Sequence, residues 1–185
     1  MKALKKLLFT LLIIFSVKAN YSIQSFIDYV KNKGFYDIIF QVKISLGKDV
    51  AIEVCFSMVE NSQCDELVRV YMNEGGSGNS GSNGTFPNPS DVDIIIYPEV
   101  GLDSNKTSVI LERKLELKLQ QTKTSSDFKE KIKNIFKECD YKSKIIVIIF
   151  IENYGALSLK MSEDDIIKIL KKSIYKRQKP VISEY

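Results

Sequence analysis

Polar residues set the period of this chain. Asp37, Gln41, Ser45 and Lys48 recur at spacings of four, four and three, and Asp49, Glu53, Ser57 and Glu60 do the same. Such stripes belong to helices. Phe35, Ile38, Ile39, Val42 and Leu46 lie opposite the first, and Val54, Cys55, Met58 and Val59 opposite the second. The pattern predicts helices near 22–32, 35–46, 49–59 and 62–72, with Gly34 and Gly47 as stops and Asp49 and Ser62 as N-caps. Phe40 to Leu46 also alternates as a strand does, so a β-hairpin over 38–59, turning at Gly47-Lys48, is the alternative.

The C-terminal part reads in the same way. Ser125 or Ser126 caps a helix ending near Glu138, whose apolar face is Phe128, Ile132, Ile135 and Phe136. Ser162 caps a last helix from Glu163 to about Ile174, with acids in its first turn and Lys168, Lys171 and Lys172 towards its end, as the helix dipole favours. Ile145 to Ile151 has no polar position, so it must be buried as a core helix or a central strand, and its β-branched composition leans towards strand. The fold class expected is mainly α, a small helical bundle in two parts. The alternative is α+β, with the hairpin at 38–59 and strands at 92–97, 108–118 and 144–151.

Between the two parts, residues 74–90 are rich in glycine and serine and close on Pro87 and Pro89, the composition of a linker. The linker separates an N-terminal part, 20–73, from a C-terminal part, 91–185. Ahead of both, Met1 to Ala19 has the character of a secretory signal peptide. Lys2, Lys5 and Lys6 precede an apolar run from Leu7 to Val17, and Val17-Lys18-Ala19 places small residues at the −3 and −1 positions, for cleavage before Asn20. The run is short for a membrane span, so the mature chain is expected to have no transmembrane helix.

Removing the leader changes the charge argument. The whole chain holds 27 basic and 23 acidic residues, but Lys2, Lys5, Lys6 and Lys18 fall within the leader, which leaves 23 of each. A neutral mature chain lacks the basic footprint that phosphate-backbone binding requires, which argues against a nucleic-acid partner. In an oxidising lumen, Cys55 and Cys64, nine positions apart, are the obvious disulfide, and Cys139 is left over as a buried small hydrophobe or an intermolecular bridge. Asn20, Asn83 and Asn105 each open an Asn-x-Ser/Thr tripeptide and are the glycosylation candidates.

Two family resemblances appear. Val54-Cys55, a short connector, Cys64-Asp65-Glu66-Leu67-Val68 and Tyr71 resemble the middle of a saposin-like domain, in which a helix ends in a cysteine bridged to the next helix. The resemblance covers about 49–72 and implies a secreted helical bundle that binds lipid. Four of that family's usual six cysteines have no counterpart here, so a generic disulfide-linked helical hairpin stands beside it. Asp93 on an apolar run, followed by Glu112-Arg113-Lys114, resembles the restriction-endonuclease-like (PD-(D/E)XK) nucleases. That resemblance implies Asp93 and Glu112 as Mg²⁺ ligands and Lys114 as the cation that stabilises developing negative charge. Against it, residues 109–121 also read as an amphipathic helix, with Leu111, Leu115 and Leu119 at helical spacing.

The chain has no histidine, which removes Ser-His-Asp and Cys-His catalysis and every histidine-ligated metal site. No cofactor is expected. The reading is a small secreted or lumenal binding protein without enzymatic activity, acting on a lipid surface or a protein partner. The Mg²⁺-dependent nuclease is its alternative.

Overall fold

A computed structural model describes residues 22–72 and 104–175, and among them there are helices and turns but no strand. The leader at 1–19, the linker at 74–90 and the expected strand at 92–97 lie outside the described residues. In the N-terminal half, α1 spans Ile23–Asn32, α2 Tyr36–Leu46 and α3 Lys48–Val59. A short α4, Cys64–Glu66, runs on into a π-helical turn, Leu67–Tyr71. In the C-terminal half, α5 spans Ser104–Gln121, α6 Ser126–Lys137 and α7 Tyr141–Glu152. Two further helices follow, α8 at Tyr154–Ser158 and α9 at Glu163–Tyr175.

Local chemistry explains most of the boundaries. Ser22, Ser125 and Asp140 cap α1, α6 and α7, accepting from the backbone N–H groups of Ser25, Phe128 and Ser143 at 3.3, 3.1 and 2.8 Å. Ser162 accepts from Asp165 N at 3.2 Å and so caps α9. Gly47 ends α2 at φ 91 and Gly34 ends the α1–α2 turn at φ 76, both in the region that a side chain disfavours. Two expected caps are displaced. Asp49 sits in the first turn of α3, where Gly47 holds the cap position, and in place of Ser62 the cap position of α4 is Gln63, which has no side-chain cap and whose N–H donates to Asn61 Oδ1 at 2.8 Å in the turn before it.

The β-containing alternative is not supported at 38–59, 108–118 or 144–151, all of which are helical. The lean towards strand at 144–151 fails for a physical reason. A helix that is apolar on every side is stable when other helices surround it, and α7 packs against α2, α5, α6, α8 and α9. Ile146, Val147, Ile148, Ile149, Phe150 and Ile151 are all buried. Propensity at seven residues is a weak preference beside burial on that scale.

The two halves share one core. Beyond the packing of α2 on α7, α3 packs on α9, and Asn153 Nδ2 donates to Gln41 Oε1 at 3.2 Å across the junction. Ser57 and Ser173 are buried in α3 and α9, and each satisfies its hydroxyl on a carbonyl one turn back, Glu53 O at 2.8 Å and Ile169 O at 2.9 Å. By contrast, α5 joins the body along one stripe, Leu111, Leu115 and Leu119, with Lys114 and Lys118 reaching Glu152 of α7 at 3.5 and 3.6 Å. The far end of the π-helical turn is tied to α2. Tyr36 Oη donates to Tyr71 O at 3.4 Å and Lys43 Nζ to Met72 O, which satisfies carbonyls the helix end leaves unpaired.

Glu163 links α6 to α9. Its carboxylate accepts from Ser125 N at 2.9 Å and from Ser125 Oγ, and from Tyr154 Oη at 3.2 Å. These bonds, those from Ser125 foremost, hold its pKa below the ordinary carboxylate value. The ion's contribution is therefore present at neutral pH and is lost as pH falls through the lowered pKa. Glu163→Gln is expected to be less stable than the wild type at pH 7 by under about 1 kcal/mol, because the site is partly solvated, and the two should converge in acid. Urea titrations at pH 7 and below pH 4 measure this, and a difference that persists in acid contradicts it. In the core, Ile146→Ala should cost about 2–5 kcal/mol, since α7 is enclosed and cannot collapse around the void. A loss below 1 kcal/mol in the same assay contradicts that enclosure.

Candidate functional site

The connector between α3 and α4 is fixed in three ways. Cys55 and Cys64 are disulfide-bonded with their Cα atoms 5.8 Å apart, and both are buried. Asn61 holds the turn through Gln63 N, as described above. Glu60, the one described non-glycine residue at positive φ (51°), pairs with Lys172 of α9. A left-handed glutamate costs backbone energy, so the connector is held in place by its surroundings.

Beside this connector lies a groove of about 420 Å³, lined by Ile52, Glu53, Phe56, Asn61, Ser62, Cys64 and Asp65. Ile52 and Phe56 are one turn apart on α3 and form its apolar side, with Phe56 42% exposed. An aromatic ring that open beside the disulfide puts apolar surface in contact with solvent. Asn61 and Ser62 supply polar groups at the rim. Glu53 and Asp65 supply carboxylates, and Asp65 also accepts from Arg69 Nε at 2.8 Å. The arrangement can hold an apolar group next to a cation. It offers no nucleophile with a base, and among the described residues no group of Cys, Asp and Glu is arranged to hold a metal.

Two of the three nuclease candidates, Glu112 and Lys114, can be placed. Asp93 lies outside the described residues. Glu112 and Lys114 stand on α5 where the motif needs a strand, and two positions along a helix place them about 200° apart. Glu112 is exposed, whereas Lys114 reaches Glu152. Of the glycosylation candidates, Asn20 and Asn83 lie outside the described residues and Asn105 falls in the first turn of α5. Cys139 is a free, partly buried thiol, with Sγ 3.1 Å from Ile135 O. Burial, followed by the charge of Asp140, pushes its pKa to about 11, so it is protonated and unreactive at neutral pH.

Sequence reading missed the groove because it assigned the whole Asp49, Glu53, Ser57, Glu60 stripe to solvent. Ser57 is in fact buried, and the outer face instead carries Ile52 and Phe56. The signal was available in the sequence. Two apolar residues four apart, interleaved with acids, mark an apolar patch on a wet face. Compared with protein-family models, curated proteins and solved structures, the chain matches none.

Cys64 of the disulfide lines the groove, so removal of the bridge should affect both stability and shape. Cys55→Ser/Cys64→Ser should lose about 2–3 kcal/mol, as expected for a short closed loop. A chemical-denaturation curve superimposable on that of the wild type would mean the connector is held without the bridge.

Proposed function

We propose that this protein is a small secreted or lumenal binding protein without enzymatic activity, acting on a lipid surface or a protein partner. The groove beside Cys55–Cys64 receives an apolar group in that reading. The observation that carries it is exposed Phe56 together with Ile52, set against a connector that the disulfide and the Glu60–Lys172 pair hold rigid. Rigidity matters because a preformed site gives up little conformational entropy on binding. Glu53 and Asp65 at the rim favour an occupant whose apolar portion adjoins a positive charge, such as a cationic amphiphile or a partner's hydrophobic side chain flanked by lysine or arginine.

Several lines support the secretory setting. A disulfide suits an oxidising compartment, and among the described residues no helix is long and apolar enough to cross a membrane. The leader-like Met1 to Ala19 and the saposin-like spacing around Cys55 and Cys64 point the same way.

Calorimetric titration with dodecyltrimethylammonium below its micellar concentration tests the groove. Saturable binding is expected, weakened at least tenfold in Phe56→Asp, since burying part of a large aromatic face is worth more than 1.4 kcal/mol. Equal binding by Phe56→Asp would remove the groove from the account.

A further inference from the structure

The groove lies beside the place where α9 ends. Lys172, in the last turn of α9, pairs with Glu60, the left-handed residue that follows α3, and the next residue, Asn61, lines the groove. Phe56, on the groove's apolar side, is one helical turn back from Glu60, about 6 Å along the axis of α3. α9 also packs on α3, so the two helices meet along more than that ion pair. Its last residue, Tyr175, stands three positions beyond Lys172, about 4.5 Å along the axis. The chain therefore leaves α9 close to the groove.

Residues 176–185, which follow, lie outside the described residues, and their sequence suits the groove. Lys176, Arg177 and Lys179 come first, then Pro180, Val181 and Ile182. The groove's lining holds two carboxylates, Glu53 and Asp65, and no cation, beside the apolar Ile52 and Phe56. Arg69 bonds to Asp65, and the carboxylates still outnumber it. Counted more widely, from Lys48 to Arg69 with Lys172 added, there are five acids and three cations. Extended, the stretch from Lys176 to Ile182 spans up to about 23 Å, well beyond the single helical turn that separates Glu60 from Phe56. The residue before a proline is restricted to extended conformations, which lowers the entropy that docking costs.

We propose that residues 176–185 of the same chain occupy this groove, with Val181 and Ile182 against Phe56 and Ile52, and with Lys176, Arg177 and Lys179 at Glu53 and Asp65. An incoming ligand then has to displace them. The tether favours the chain's own segment over that of a second copy, because it holds the segment at an effective concentration on the order of millimolar, so a weak contact is enough to fill the site. The proposal rests on the binding reading of the groove and adds what fills it when no ligand is bound.

The chain has no tryptophan, so Ile182→Trp in the full chain supplies a single indole whose fluorescence reports its surroundings. Its emission should lie to the blue of that from a peptide of residues 176–185 carrying the same substitution, and should stay there over a roughly hundredfold dilution. Adding Phe56→Asp, at an exposed position, should return it to the peptide's value. Peptide-like emission from the full chain, a shift that depends on concentration and so comes from a second copy, or a shift that survives Phe56→Asp would each overturn the proposal. Dodecyltrimethylammonium titration separates this failure from failure of the groove. Val181→Asp/Ile182→Asp should bind about fivefold or more tightly than the wild type, because the site no longer has to be vacated. Equal affinities would overturn the occupant and leave the groove standing, whereas no binding by either protein would remove both.

Discussion

Burial of α7 is the constraint on which the rest of the structure depends. Ile146 to Ile151 offers no polar face, so every side of that helix must be covered and no one neighbour can do it. Helices from both halves of the chain supply the cover, α2 from the first and α5, α6, α8 and α9 from the second. The chain thus closes as one bundle, and the charged residues are confined to the outer faces of the surrounding helices. Ser57 and Ser173, two of the polar side chains that do enter the interior, bond to the preceding turn of their own helix.

The outer helices were legible from the sequence because each carries its own period. The stripes of α2 and α3, the apolar faces of α6 and α9, and the stops at Gly34 and Gly47 are local patterns, and the helices fall within a residue or two of where those patterns put them. The exception is α7. A run without polar residues has no period, so local composition could only weigh β-branched propensity, and what decided the outcome was the set of helices packed around it. The start of α4 was missed for a similar reason. Ser62 is a good cap in isolation, but the disulfide and the Asn61 turn fix where the helix begins, and the chain then passes into a π-helical turn.

The groove was less legible than the fold. Cys55 and Cys64 were found by spacing, and the structure pairs them. The groove beside them, however, is made by Ile52 and Phe56 escaping the apolar face on which the neighbouring Val54 and Cys55 are consumed. The contact between Gly34 and Ala156, residues 122 positions apart, is likewise one that no local pattern encodes. The nuclease-like spacing illustrates the opposite case. Glu112 and Lys114 match a motif in one dimension, yet on a helix they diverge, so the match carries no geometry.

Native-state hydrogen exchange of the full chain, read by peptide mass, tests the central claim most directly: that both halves are held by enclosure of α7. The account requires the amides of Ile146–Phe150 to exchange only through global unfolding, with the protected amides of α2 and α9 sharing that opening and the same denaturant dependence. Exchange of α2 and α3 through a separate, smaller opening, with α7 retaining its protection, would show that the halves fold as independent units and would contradict it.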